Sequence, residues 1–379
     1  MNEVEVEHRR QVGYPHLFLR DWPFRIVPSR DSAKVWADRE VVREQVLNLL
    51  NQLSRRSVSS LHLMWADFGA GKTHTLLHMC NLCESGVFET LLPVYVEWPK
   101  SAKAFLDVYR AASLAFSERL LPELLYAALV RNSIATILGT VRRQHPGMAV
   151  VLEALQAGMA NALPVAMRWL RADPTLYKRE LRVLGPLERI ESSDEAVRAL
   201  GALVSLLVMS GTYRRLLLMV DEFQRVGTLR PRVREEVNSG LHTLVNACPD
   251  GLTLLLSFSF GRPENIKYLI SNELRSRADL EMISLPVFNR KEAHRFTVDL
   301  LDAHRIEGAP SRLYPFTEQA IRAILARTGT LIPREIIKRL DMVLRRAETA
   351  IHAGQIQAIS RSFAEEVLAD AKMLPEEES

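Results

Sequence analysis

Apolar runs of strand length alternate with amphipathic segments in two separate parts of the chain. Runs without a helical period, which are typical of buried strands, lie at residues 61–65, 92–98, 215–220 and 252–258, with a further apolar stretch at 280–287. Segments with a helical period lie beside them, at residues 39–53, 72–84 and 234–248. Strands that alternate with helices predict an α/β fold, in which a parallel sheet is covered by helices on both faces.

The remaining segments are predicted to be irregular or helical. Residues 1–35 are rich in Pro, Arg and aromatic side chains and show no period, which indicates an extended arm. Residues 101–211 are rich in Ala and Leu, which predicts helices almost throughout. Further helices are predicted at residues 291–303, 317–327, 333–352 and 360–372. The predicted parts are an arm at 1–35, an α/β core at 36–100 and 212–289, a helical insert at 101–211 and a C-terminal helical part at 290–379.

Composition narrows the class of protein only a little. Over 379 residues, 47% hydrophobic and 25% charged residues are ordinary for a soluble globular protein and exclude wholesale disorder. The formal charge of +4 permits nucleic-acid contact only through local clusters of basic residues. An odd number of cysteines fits a reducing compartment, and we see neither a signal peptide nor an apolar run long enough to cross a bilayer. We therefore predict a cytoplasmic protein without a membrane partner.

The segment between the strand at 61–65 and the helix at 72–84 carries the strongest motif. It reads Ala66-Asp67-Phe68-Gly69-Ala70-Gly71-Lys72-Thr73, in the strand-to-helix context that a P-loop requires. The two glycines let backbone N–H groups point at a phosphate, and the helix N-terminus adds its positive dipole end. Lys72 supplies a positive charge to the β- and γ-phosphates, and the Thr73 hydroxyl ligates magnesium. Ala66 stands where the motif usually has glycine, which requires an ordinary backbone conformation at that position.

The apolar run at 215–220 ends in two carboxylates, Asp221 and Glu222. In a P-loop nucleoside triphosphatase, an aspartate at the tip of this strand holds magnesium through water. The adjacent glutamate activates the attacking water as a general base. We therefore assign Asp221 to the metal and Glu222 to the base.

With these motifs the sequence resembles the AAA+ P-loop ATPases, in particular the group of origin initiators, transposition regulators and phage-defence ATP-binding proteins. The resemblance covers about residues 36–372 outside the helical insert. It implies a parallel-sheet core with a large helical insert and a C-terminal helical lid, and ATP and Mg²⁺ as cofactors. The box at 36–40, including Arg39, looks like the segment that contacts adenine in this group. The implied nucleotide-binding residues are Arg39, Ala66, Asp67, Phe68, Gly69, Ala70, Gly71, Lys72, Thr73 and His74.

The resemblance also implies three further catalytic positions. Ser257, or else Ser259, occupies the tip of the fourth strand as the sensor-1 residue. Arg277, or else Arg275, occupies the place of an arginine finger that reaches the nucleotide of a neighbouring subunit; the alternative is a solvated basic helix end. Arg334 begins a lid helix as the sensor-2 residue and would fold over the nucleotide. A finger that acts in trans implies a homo-oligomer.

We predict an ATP-hydrolysing protein that oligomerises on ATP and acts on double-stranded DNA or on a nuclease, helicase or transposase partner, in antiviral defence, transposition or replication. The alternative is a nucleotide-dependent signalling switch whose insert recognises a protein without DNA. Mixed charge in the insert favours a self-packing subdomain that recognises a partner over a nucleic-acid arm. A cluster of four arginines is either a DNA-tracking loop or a solvated surface: Arg225, Arg230, Arg232 and Arg234.

Overall fold

The computed structural model describes residues 13–259, 262–279 and 281–370. They form two compact units, each with its own hydrophobic core. The sheet unit comprises Glu44–Ala66 and Met79–Ser284, and the lid unit comprises the described residues within Met1–Arg43, Asp67–His78 and Leu285–Ser379. The buried residues of each core belong to one unit only.

A five-stranded sheet forms the centre of the sheet unit, in the order β2-β3-β4-β1-β5. Strands β1 to β4 pair in parallel. Because β3 is buried at every position, it reads as a continuous apolar run rather than an alternating one. In parallel strands the carboxyl ends meet at one edge, which β1, β3 and β4 share. The strands are β1 (Ser60–Ala66), β2 (Leu91–Glu97), β3 (Arg215–Asp221), β4 (Leu252–Ser259) and β5 (Ile283–Leu285).

Helices flank the strands and fill the segment between β2 and β3. Helix α9 is buried on nearly all sides and packs on α4, α5, α10 and β3, as expected of a helix that is apolar all round. The insert and the sheet therefore share one core. The helices up to β5 are α1 (Glu40–Arg55), α2 (Lys72–Glu84), α3 (Phe105–Ser113), α4 (Leu120–Arg131), α5 (Ile134–Gln144), α6 (Pro146–Gln156), α7 (Ala162–Leu170), α8 (Lys178–Leu181), α9 (Ser193–Ser210), α10 (Pro231–Ala247) and α11 (Asn272–Arg275).

The first residue of β3, Arg215, is fully buried and ties the end of α1 to the sheet. Burial lowers its pKa to about 10, and hydrogen bonds to neutral acceptors satisfy the guanidinium instead of a carboxylate. Such a buried cation is stabilised only while all of these acceptors stay in place. The acceptors are the carbonyl oxygens of Leu53, Arg56, Val58 and Leu252 and the hydroxyl of Thr253.

The lid unit packs helices against part of the predicted arm. Leu17 and Leu19 of the arm are fully buried in its core, and the indole N–H of Trp22 donates to Asp341 at 2.6 Å. The described part of the arm is therefore part of the lid core. Residues 1–12 of the predicted arm lie outside the described residues. The helices are α12 (Arg290–Ala303), α13 (Glu318–Ala326), α14 (Pro333–His352) and α15 (Arg361–Asp370).

The predicted strands and helices are confirmed with small changes at their ends. The helices predicted at 72–84 and 333–352 have the predicted bounds, α10 begins three residues earlier than predicted, and the stretch at 280–287 shortens to β5. Residue 280 and residues 371–372 of the last predicted helix lie outside the described residues. Over the described part of the chain, we find no helix with the length and apolarity to cross a membrane.

Candidate functional site

The loop between β1 and α2 takes the backbone conformations that its glycines permit. Gly69 and Gly71 have φ angles of 82° and 102°, which other residues adopt only at a cost. The Lys72 side chain is 4% exposed, and its Nζ donates to the carbonyl of Asp67 at 3.3 Å. Ala66 pairs with Ser259 as the last residue of β1. An extended strand position accepts alanine, so the departure from the usual motif introduces no strain.

Arg334, in the first turn of α14, lies directly on this loop. Its backbone N–H donates to the carbonyl of Gly69 at 3.2 Å, and its guanidinium carbon is 4.3 Å from the centre of the exposed Phe68 ring. A Cβ atom at Gly69 would lie 3.0 Å from the Cβ of Arg334. Glycine is therefore required at this position both for its φ angle and for the close approach of α14. The predicted sensor-2 residue and the predicted phosphate loop are neighbours.

The segment before α1 combines backbone strain with unpaired buried polar atoms. Asp38 and Arg39 have φ angles of 47° and 57°, a left-handed conformation that costs about 1–3 kcal/mol per non-glycine residue. The Arg39 guanidinium lies 4.4 Å from the centre of the Phe288 ring, and burial lowers its pKa to about 10. Among the described residues, its three nitrogens, Trp36 Nε1 and Asp38 Oδ2 are buried without a hydrogen-bond partner. Unpaired groups on a strained backbone indicate a ligand site.

His74, one turn into α2, faces the arm. Its ring centre is 6.3 Å from that of Trp36, and it hydrogen-bonds backbone groups of Ser32 and Val35. Burial lowers the pKa of His74 to about 4, so the imidazole is neutral at pH 7. His74 therefore supports the indole of Trp36, and Thr73 is the half-buried second residue of α2.

In the sheet unit, donors from β2, from β4 and from the residue after β3 converge on Asp221. The carboxylate is fully buried. Its Oδ1 accepts from the Ser257 hydroxyl at 2.7 Å and from the Glu222 backbone N–H at 2.9 Å, and its Oδ2 accepts from the Tyr95 hydroxyl at 3.2 Å. Burial, with the nearby Asp221 charge, raises the pKa of Tyr95, which keeps this phenol protonated as a donor. Ser257, the preferred sensor-1 residue, thus contacts the predicted metal ligand.

Glu222 is held in one orientation by its neighbours. Its own φ is 58°, its Oε2 accepts from the Gln224 amide at 2.6 Å, and its Oε1 accepts from the Ser259 hydroxyl at 3.2 Å. The Gln224 carbonyl oxygen in turn accepts from the Ser259 backbone N–H at 2.9 Å. This closed set of hydrogen bonds fixes the rotamer of Glu222, and it places Ser259 rather than Ser257 beside the predicted base.

The predicted arginine cluster is separated in the structure. Arg225 donates to Glu97 at 2.8 Å and to the carbonyl of Trp98 at 2.6 Å. Arg230 and Arg232 are exposed where α10 begins, and Arg234 is half-buried. Arg225 is therefore occupied by bonds within the sheet unit.

The predicted finger residues lie far from Asp221 in the same chain. Arg275 and Arg277 are exposed, and Ala278 bridges Leu61 of β1 on the side away from β4. Given the strand register, Asp221 is about 10 Å further along the strands and about 14 Å across the sheet from that point, at ordinary strand spacings. These arginines do not reach the Asp221 carboxylate of their own chain.

Sequence reasoning missed Tyr95 and Gln224. Tyr95 is a polar position within the apolar run of β2 and points to the same face as Glu97, the last residue of the strand, which pairs with Asp221. That period of two is the signal that identifies it. Gln224 interrupts the apolar residues Phe223 and Val226 just after the carboxylates. Its role depends on the turn that brings it back to β4, which the sequence pattern does not show.

Two archaeal proteins are among the solved structures that are similar to this chain. The ORC2 protein of Aeropyrum pernix, in ADPNP-ADP complexes, has a TM-score of 0.51 at 16% identity, covering 90% of this chain and 70% of that chain. The ORC1 protein of Aeropyrum pernix, in complex with DNA, has a TM-score of 0.50 at 12% identity, covering 91% and 68%. No protein-family model matches the sequence, and no curated protein matches it.

The likeness defines the class of fold. The chain has the α/β fold of the AAA+ P-loop ATPases and resembles the origin-initiator group. The predicted fold class is therefore confirmed. At identities of 16% and 12% the likeness concerns the fold alone, so activity has to be argued from the residues.

Proposed function

We propose that this chain binds ATP with Mg²⁺, hydrolyses it, and acts as a homo-oligomer on double-stranded DNA or on a DNA-processing partner. One observation carries the proposal: the predicted P-loop follows β1, and two carboxylates lie at the carboxyl end of β3, in the same sheet. Ligands of open α/β sheets bind beyond the carboxyl ends of the strands. The predicted P-loop and the two carboxylates each lie at the carboxyl end of a strand.

In the lid unit, one set of groups suits the phosphates of ATP and another set suits its adenine ring. The N–H groups of residues 69–73, the N-terminus of α2 and Lys72 suit the phosphates. The unpaired nitrogens of Arg39 and Trp36 suit the ring nitrogens of adenine, which are acceptors, and the unpaired oxygen of Asp38 suits its amino group. Arg334, already on the loop, supplies a second positive charge to the phosphates.

Hydrolysis belongs to the groups of the sheet unit. Mg²⁺ prefers oxygen ligands. The Asp221 carboxylate of the sheet unit is a donor of that kind, and the Thr73 hydroxyl, which belongs to the lid unit, is the second proposed ligand. When bound, the ion neutralises charge on the phosphate oxygens. Asp221 is kept oriented by Ser257 and Tyr95. Glu222 accepts the proton of the attacking water, with its rotamer fixed by the bonds to Gln224 and Ser259.

The distance of Arg277 and Arg275 from Asp221 of their own chain supports an assembly of several copies. An arginine that acts in trans stabilises the charge of phosphoryl transfer at the site of a neighbouring copy. It therefore has to be exposed and remote from the site of its own chain, as Arg275 and Arg277 are. The DNA part of the proposal is supported by the similar ORC1 structure, which is a complex with DNA.

The experiment compares Lys72→Ala with Lys100→Ala, which removes an exposed lysine. Binding of a fluorescent ATP analogue, ATP turnover and particle mass are measured with and without double-stranded DNA. Loss of binding in Lys72→Ala alone, with a mass increase of the wild type on ATP, is the expected result. Unchanged ATP affinity in Lys72→Ala contradicts the P-loop assignment. If neither ATP turnover nor particle mass changes when DNA is added, the result supports the signalling switch in place of the DNA role.

Mixed oligomers test the trans arginine. Arg277→Ala protein carrying an intact Glu222 is mixed with Glu222→Gln protein carrying an intact Arg277. Each alone is expected to be inactive, and the mixture is expected to regain part of the turnover, because one arrangement of neighbours has both groups. A mixture as inactive as its components contradicts the assignment of Arg277.

A further inference from the structure

The lid unit carries a groove of about 950 Å³ between the beginning of α12, α13 and the beginning of α15. It is called the basic groove here because arginine and lysine dominate its lining. Its positive side chains are Arg290, Lys291, Arg295, Arg322, Arg327 and Arg361.

The basic groove concentrates the charge of the whole chain. Six cations against the two lining carboxylates, Glu318 and Glu365, leave a formal charge of +4. The formal charge of all 379 residues is also +4, so the rest of the chain is neutral on balance. The near-neutral composition permits contact with a polyanion only through a local cluster of basic residues, and the basic groove is such a cluster.

Ion pairs within the groove do not account for all of its cations. Glu318 contacts Arg322 at 2.7 Å, Glu365 contacts Arg361 at 3.0 Å, and Asp38, which does not line the groove, contacts Arg295 at 3.3 Å. Within the described ranges no carboxylate lies within 4 Å of Arg290 or Lys291. These two residues occupy the first turn of α12, where the helix dipole disfavours positive charge. A bound anion would offset this unfavourable placement.

The size and chemistry of the groove indicate an extended polyanion. Small-molecule pockets of similar volume are lined mainly by apolar residues, whereas eight of the 13 residues that line this groove carry a charge. Guanidinium groups match phosphate oxygens in two-pronged hydrogen bonds. Helices α12 and α15 both begin in the groove, and their N-termini add positive potential.

We propose that the basic groove binds the phosphate backbone of double-stranded DNA. This rests on the proposed function and assigns DNA contact to the lid unit, through side chains that take no part in the proposed ATP chemistry. Phosphate contacts position a protein on a duplex without reading its sequence. The groove therefore gives affinity that is independent of sequence and strongly dependent on salt.

The test uses the full chain with three exposed groove residues changed together, Arg290→Ala, Lys291→Ala and Arg327→Ala. The matched control removes three exposed positive charges of the insert, through Arg119→Ala, Lys178→Ala and Arg179→Ala. Binding to a short fluorescent duplex of two unrelated sequences is measured by anisotropy over a range of salt concentrations. ATP turnover without DNA and thermal unfolding are measured on each variant.

Each phosphate contact contributes about 0.9 to the slope of log affinity against log salt. The groove variant is expected to lose about tenfold or more in affinity at about 0.1 M salt and about 2–3 units of slope, equally for both sequences. The insert variant and a version with Arg290→Lys and Arg327→Lys keep the wild-type slope. ATP turnover without DNA stays unchanged.

Equal slopes for the groove variant and the wild type overturn the proposal, leave the DNA part of the proposed function standing, and point to an acidic protein partner for the groove. A wild type that hydrolyses ATP but binds neither duplex overturns the groove proposal and the DNA role together. The ATPase assignment survives that second outcome.

Discussion

The two units differ in whether the buried polar groups of their candidate sites have hydrogen-bond partners. In the lid unit, Arg39, Trp36 and Asp38 bury donors and an acceptor without partners on a strained backbone. In the sheet unit, Asp221 and Glu222 have partners for every carboxylate oxygen. Unpaired buried groups cost free energy until a ligand pairs with them, whereas paired groups hold a fixed geometry. We infer that the lid unit is arranged for binding and the sheet unit for chemistry.

This contrast separates affinity from turnover. Changes to the unpaired groups of the lid unit are expected to weaken ATP binding and leave the chemical step nearly intact. Changes to the paired groups of the sheet unit are expected to slow the chemical step and leave affinity nearly intact. Glu222→Gln, Arg39→Ala and Gln224→Leu test this separation, and Arg215→Met tests the stability of the sheet unit.

The largest expected effect is that of Glu222→Gln. The amide keeps the shape of the side chain but cannot accept the proton of water, and a general base contributes about 10²- to 10⁴-fold. Turnover at saturating ATP should fall by that factor, while the affinity measured by calorimetry stays within about twofold. Glu235→Gln, at an exposed position of α10, is the control. Turnover near that of the wild type would remove Glu222 from the role of base.

The next effect concerns the stability of the sheet unit. Arg215→Met keeps the apolar stem but removes the donors to four carbonyl oxygens and a hydroxyl. Buried acceptors left unpaired cost about 1–3 kcal/mol each when water cannot reach them, and partial relaxation reduces the sum to about 3 kcal/mol. Chemical denaturation should show this loss. Arg214→Met, the exposed neighbour with one carbonyl contact, should lose far less, and equal losses would contradict the account.

In the lid unit, Arg39→Ala should weaken ATP binding about 10- to 100-fold, since a hydrogen bond to a charged group is worth about 1.5–3 kcal/mol. The preference for ATP over GTP should fall together with the affinity, and turnover at saturating ATP should stay at the wild-type level. The ligand-free variant should lose only about 1–2 kcal/mol, because the guanidinium has no hydrogen-bond partner among the described residues and only its contact with the Phe288 ring is removed. A large loss of ligand-free stability would show a structural role instead. Arg43→Ala, exposed on α1, is the control.

How much could be predicted from the sequence differs between the same two regions. The sheet was predicted well, because β3 is buried throughout and its apolar run ends at Asp221. The P-loop could be predicted because its residue types stand in consecutive positions of the sequence. The left-handed Arg39 and its contact with Phe288 depend on residues far apart in the chain, and no local pattern encodes them. Groups that act through tertiary contacts were the ones missed, as Gln224 shows.

The smallest expected effect is that of Gln224→Leu. The side chain links Glu222 to the backbone of Ser259, and without it the glutamate samples other rotamers, so the correctly oriented fraction falls. Loss of orientation costs less than loss of the carboxylate, and we expect turnover to fall about tenfold with KM for ATP unchanged. Gln52→Leu, exposed on α1, controls for the added apolar surface. If KM rises while turnover stays, Gln224 contributes to binding, and the division of labour between the two units fails at this residue.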